Sequence, residues 1–207
     1  MVNTGPDEAI AWCQAAHVRL LATASTIDDD IARQPSRLPG WTVGHVLTHL
    51  ARSADGHVRR LEGALRGQEV ARYPGGPEQR SQEIEAGAAR PAETLIHDLV
   101  DSARRLEDTW TRCQAAGWPN ADLFAGDHFP TDESPLRRLR EVEVHHVDLG
   151  LGYEASDWPE EYVRWELPKA LAGLPPRLSD PRDSRRLLAW LIGRSPRPEG
   201  LELGPWL

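Results

Sequence analysis

At 207 residues the chain has the length of one domain with a small appendage, enough to bury a core. Acidic residues outnumber basic ones, 32 to 24, and the net charge of -8 removes a general electrostatic attraction to nucleic acid or to an anionic membrane from the functions to be considered. Cys13 and Cys113 lie far apart in no metal or redox spacing, which predicts two ordinary thiols in a reducing, cytoplasmic setting. The first eight residues have neither a basic nor an apolar segment of the secretory kind, and no apolar run reaches membrane-spanning length.

Helical periodicity dominates the chain from its start. Pro6, followed by Asp7 and Glu8, opens a helix predicted to run to about Arg33 along a stripe of Ile10, Ala11, Ala15, Val18, Leu21, Ala22, Ala24 and Ile27, with Pro35 as its stop. Thr42 is the predicted N-cap of a second long helix whose Val43, Val46, Leu47, Leu50, Ala54, Val58, Leu61 and Leu65 follow the 3.6-residue period up to Gly67. A loop over 72–77 precedes a shorter helix over 79–89. Pro91 then starts a long helix through Leu95, Leu99, Val100, Ala103, Leu106 and Trp110, closed by Gly117.

The stretch 118–131, rich in Gly, Asp and Pro, reads as a surface excursion, and Ser134 with Pro135 is expected to cap a helix reaching Gly150. Four long helices make an up-and-down bundle, here predicted over residues 1–152. Residues 153–207 form a shorter region, helical over 158–174 around Pro168 and again over 183–193, before an irregular tail.

Two segments carry chemistry. Leu38-Pro39-Gly40-Trp41-Thr42-Val43-Gly44-His45-Val46-Leu47-Thr48-His49 offers two histidines four residues apart, of which His49 flanks the apolar stripe while His45 lies nearly opposite, so His49 is the better inward ligand. Arg140-Glu141-Val142-Glu143-Val144-His145-His146-Val147-Asp148-Leu149-Gly150 offers two acid and histidine pairs. Glu143 and His146 fall within the main apolar arc, whereas Glu141, His145 and Asp148 share the opposite face, and periodicity does not choose between them. Glu141 and His145 have the four-residue spacing that puts a carboxylate and an imidazole one turn apart. A third ligand from the other helix leaves a zinc ion one open position, the mark of a catalytic site. A lone histidine is more often a surface or hydrogen-bonded residue.

Together these two segments resemble the mycothiol-dependent maleylpyruvate isomerase family, within the DinB-like metal-binding four-helix bundles, and the resemblance covers nearly the whole chain. It implies His49, Glu141 and His145 as the metal ligands. Pro77-Glu78-Gln79-Arg80-Ser81-Gln82-Glu83-Ile84 resembles the family segment with a catalytic arginine, giving Arg80, and Ala189-Trp190-Leu191-Ile192-Gly193-Arg194 resembles the one with a late arginine, giving Arg194. The family usually carries a C-terminal α/β domain of roughly a hundred residues. About half that length remains here, so a shortened, mostly helical cap that keeps Arg194 over the site is expected.

The function so implied is a zinc-dependent cis-trans isomerase that uses mycothiol or another low-molecular-weight thiol as cosubstrate on a small, electrophilic, anionic substrate, as in maleylpyruvate to fumarylpyruvate. Neither nucleic acid nor membrane is an expected partner, and a monomer or homodimer is expected. Three rival readings stand beside it: a thiol S-transferase acting on another electrophile, a non-catalytic metal-binding bundle with a fourth protein ligand such as His45 or Asp148, and a hydrolase with Glu143 as general base.

Overall fold

A computed structural model describes residues 4–119, 129–178, 180–201 and 203. The excursion predicted over 118–131 lies largely outside the described residues. Helices α1 (Pro6–Ala24), α2 (Asp29–Ala32), α3 (Val43–Leu65), α4 (Gly76–Ala88), α5 (Ala92–Ala115), α6 (Ser134–Asp148), α7 (Glu160–Ala172) and α8 (Pro181–Leu191) follow in chain order, with no strand among the described residues. The chain forms two compact units, the second beginning at Glu160. In the first, α3 packs on α5, α4 and α6, while α1 packs on α6 and α5. The long helices α1, α5, α3 and α6 thus close a four-membered ring, the DinB-like bundle, with α4 laid on α3. The second unit contains α7 and α8.

The first helix ends nine residues earlier than its apolar pattern suggests. The Ser25 and Thr26 hydroxyls bond back to the carbonyls of Ala22 and Thr23, and Asp28 then accepts from the Ile31 amide to start α2. Its buried face also differs from the predicted stripe: Ala9, Cys13, Ala16, His17, Leu20 and Ala24 point inward, while Val18 is 69% exposed. Cysteine and histidine had not been counted as core residues, and small alanines occur on both faces. His17 stacks on Trp110, hydrogen-bonds Glu107 through Nδ1 at 2.6 Å and accepts from Arg138 Nε at 3.2 Å, so this buried imidazole is fully engaged.

Ser134 starts α6 but does not cap it. Its buried hydroxyl accepts from Trp110 Nε1 at 3.0 Å and donates to His57 Nδ1 at 2.9 Å, tying α6 to α5 and α3. Arg138 is fully buried on α6 and donates to the Leu50 carbonyl of α3 at 2.8 Å. Between α3 and α4 the packing is closer still. A methyl group added at Gly44 would lie 2.3 Å from the Ala88 carbonyl oxygen, and one at Gly87 would lie 2.4 Å from Thr48 Cγ2. Glycine at these two positions is what lets α4 lie against α3.

Candidate metal centre

The site begins with a turn. Leu38-Pro39-Gly40-Trp41 closes through a Trp41 N–H to Leu38 carbonyl bond of 3.0 Å, with proline second and Gly40 third at φ +81, the arrangement of a type II turn. Thr42 then caps α3: its hydroxyl accepts from the His45 amide while His45 Nδ1 accepts from the Thr42 amide at 3.1 Å. His45 is therefore a capping residue, and it also stacks on Trp41. One turn on, the His49 side chain is only 4% exposed, with the Trp41 ring 5.7 Å away and tilted by 60°.

Across the bundle, Glu141 and His145 stand one turn apart on α6 and face His49. His49 Nε2 lies 3.0 Å from Glu141 Oε2 and 3.0 Å from His145 Nε2, and the remaining edge, Glu141 Oε2 to His145 Nε2, is 3.8 Å. Tetrahedral zinc with bonds near 2.0–2.1 Å requires ligand separations of about 3.3 Å, so the three atoms fit one face of its coordination tetrahedron. Among the described residues this His49, Glu141 and His145 group has no fourth His, Cys, Asp or Glu. Asp148 instead bonds His145 Nδ1 at 2.8 Å, which keeps the proton on that nitrogen and leaves Nε2 with its lone pair toward the centre.

The arginine of α4 reaches the same place. Arg80 Nη2 lies 3.1 Å from His49 Nδ1. Ser53, on the next turn of α3, donates to Glu141 Oε2 at 3.4 Å and accepts from Arg72 Nη2 at 3.4 Å. Burial pushes the His49 pKa down to about 4 against the opposing pull of Glu141, so the imidazole is neutral and has a lone pair to give. Burial alone would raise Glu141. The His49 hydrogen bond and the electrostatic pull of its neighbours, Arg72 among them, outweigh it and hold the carboxylate ionised well below the ordinary range. Two imidazoles and one carboxylate make a donor set suited to a divalent cation of zinc type.

The competing pair on α6 is used elsewhere. Glu143 takes an Arg19 bond of 2.6 Å and a Tyr153 hydroxyl bond of 2.5 Å, while His146 bonds the Thr23 hydroxyl at 2.7 Å and stacks on Tyr153. These contacts hold α1 to α6 and commit the carboxylate that a hydrolase would need as base. Arg194 lies exposed just after α8, in the unit that begins at Glu160. Trp41, Ser53, Arg72 and Tyr73 were not among the predicted site residues. A loop between two helices carries Arg72 and Tyr73, and loops leave no periodic trace in sequence.

The family model for the mycothiol maleylpyruvate isomerase N-terminal domain matches residues 13–150. The chain belongs to that family. Its matched segment includes His49, Arg80, Glu141 and His145 and stops short of Arg194. Among solved structures, the mycothiol-dependent maleylpyruvate isomerase aligns with a TM-score of 0.75 at 26% identity, covering 86% of this chain and 72% of that one. A histidine-to-alanine mutant of such an isomerase aligns with the same TM-score and coverage at 25% identity. A comparison with curated proteins found no match. Consistent with a small-molecule enzyme family, no described helix is long and apolar enough to cross a membrane.

Proposed function

We propose that this chain is a zinc- and thiol-dependent cis-trans isomerase of the maleylpyruvate type, with His49, Glu141 and His145 as metal ligands and mycothiol, or another low-molecular-weight thiol, as cosubstrate. The observation that carries this reading is the triad itself: three ligand atoms 3.0–3.8 Å apart, one side left without a protein ligand, in a chain of this family. Asp148 occupies the outer nitrogen of His145 and His45 caps α3, so neither of the two residues considered as a fourth ligand points its donor atom at the centre. Zinc held there would favour the thiolate over the thiol form of the cosubstrate.

The chain's own residues supply the rest. Asp148 fixes the tautomer of His145, and Trp41 shields His49. Arg80 brings a permanent charge to the edge of the triad, where a guanidinium can grip a carboxylate in two-point fashion and stabilise an adjacent enolate oxygen. The cosubstrate thiolate adds to the double bond conjugated with the substrate carbonyl, the resulting single bond rotates, and expulsion of the same thiolate restores the double bond in the trans form. Nothing is consumed. Arg194 is the proposed second carboxylate partner, on the resemblance of its segment. The two buried, free cysteines support a reducing, cytoplasmic location.

The test is zinc-loaded protein with mycothiol and maleylpyruvate, followed by product analysis. Fumarylpyruvate is the expected product. A stable thioether adduct would replace isomerase by S-transferase, and stoichiometric zinc in purified His49→Ala protein would refute the ligand set.

A further inference from the structure

One face of α3 carries His49, Ser53, Gly56 and Gly63, at helical spacings of four, three and seven. The segment that follows α3 runs back along this face because its glycines leave room. A methyl group at Gly63 would sit 2.7 Å from Val70 Cγ2 and 2.9 Å from the Gln68 carbonyl oxygen, and one at Gly56 would sit 3.4 Å from Arg72 Cβ. Residue 70 thus lies on Gly63, residue 72 on Gly56, and Arg72 reaches Ser53, which reaches the metal-site carboxylate. Continuing in the same direction brings Tyr73 to the His49 end. There its backbone carbonyl accepts from Gly76 at the start of α4, the helix that delivers Arg80.

The Tyr73 hydroxyl is buried and meets no acceptor for its proton among the described residues, since the Arg80 guanidinium beside it can only donate. Most hydroxyls in this interior are engaged, as at Ser53, Thr23, Thr42 and Ser134, with Thr4 and Thr48 as the other buried exceptions. A buried donor without an acceptor is costly, and a fold retains one where a ligand supplies the acceptor. The phenol is raised by burial, against the lowering pull of Arg72 and Arg80, so it is a neutral donor at physiological pH. Two cations, Arg72 and Arg80, stand against one carboxylate, Glu141, around it, and that balance favours an anionic oxygen as the acceptor.

We propose that the Tyr73 hydroxyl donates a hydrogen bond to a carboxylate or enolate oxygen of the bound substrate beside Arg80, making Tyr73 a specificity-determining residue of this site. The inference rests on the proposed function for the identity of the anion. Arg80 supplies charge, and Tyr73 supplies direction: a neutral donor with fixed geometry separates anions by where their oxygens lie rather than by how many charges they carry.

Tyr73→Phe removes the hydroxyl and keeps the ring. In zinc-loaded protein without thiol, maleate serves as a dicarboxylate probe that cannot react. The variant should retain stoichiometric zinc and melt at the wild-type temperature or above it, because an unsatisfied polar atom has gone. Its maleate affinity should fall roughly ten- to a hundredfold, with KM for maleylpyruvate rising more than kcat falls. A lower melting temperature with unchanged maleate affinity would make Tyr73 structural and overturn the proposal. Wild-type protein that neither binds maleate nor turns over maleylpyruvate would overturn the functional reading and the role of Tyr73 with it, whereas wild-type binding matched by Tyr73→Phe overturns the role alone.

Discussion

The 3.1 Å contact between Arg80 and His49 sets a competition that mutagenesis can measure. A guanidinium only donates, so Nδ1 of His49 must present its lone pair and the imidazole proton sits on Nε2, where Glu141 and His145 accept it. Zinc needs that Nε2 lone pair. Binding therefore moves the proton to Nδ1, donor then faces donor, and Arg80 has to leave. Losing a hydrogen bond from a charged group costs about 1.5–3 kcal/mol. Arg80→Met, which keeps the aliphatic stem, should accordingly bind zinc roughly ten- to a hundredfold more tightly than wild type while losing turnover of an anionic substrate. Competition titration against a chromophoric chelator at pH 7.5 reads the affinity directly. Zinc affinity equal to or weaker than wild type in Arg80→Met would refute the argument, since the guanidinium would then not oppose the metal-bound tautomer.

Three further outcomes follow from the contacts. Asp148→Ala should weaken zinc binding about ten- to a hundredfold in the same titration, because His145 loses the acceptor that orients its ring. Gly44→Ala drives a methyl to 2.3 Å from the Ala88 carbonyl and should destabilise the protein by about 1–3 kcal/mol by urea denaturation, with loss of the α4 position that delivers Arg80. Metal-free protein should lose stability as the pH falls below about 6.5: burial lowers the pKa of His17, His49, His57 and His146, so the unfolded chain binds protons that the folded one refuses. Stability read from urea denaturation should fall between pH 7.5 and 5.5, with about 1.4 kcal/mol per pH unit as the ceiling for each of these histidines. A flat profile would place those imidazoles in contact with water.

The helices of the bundle were legible because α3 and α5 bury regular apolar stripes, and Leu95, Leu99, Leu106 and Trp110 stand where the period puts them. The first helix misled because its inward face is built from Cys13, His17 and small alanines while Val18 faces water, so hydrophobicity points to the wrong side. At the candidate metal centre the spacing of Glu141 and His145 was visible, but the choice against Glu143 and His146 came from the family resemblance and not from periodicity. That choice depends on Arg19, Thr23 and Tyr153, which arrive from other parts of the chain. Tyr73 was out of reach for a similar reason: an unpaired hydroxyl is a property of its surroundings in space and leaves no sequence signature.

Arg138 sits three residues before Glu141 on α6, and the carbonyl it holds belongs to Leu50, the residue after His49. This clamp contains no metal ligand, yet it fixes the rotation and register of the two helices that bear all three. The three proposed ligands therefore owe part of their convergence to helix packing rather than to a cation. Under the proposed function, zinc exchange would be a matter of swapping ligands rather than of folding and unfolding, unlike small domains whose chain collapses only around its ion. A zinc enzyme so built would wait out a period of scarcity as an intact, idle molecule, ready to resume work as soon as the ion returned.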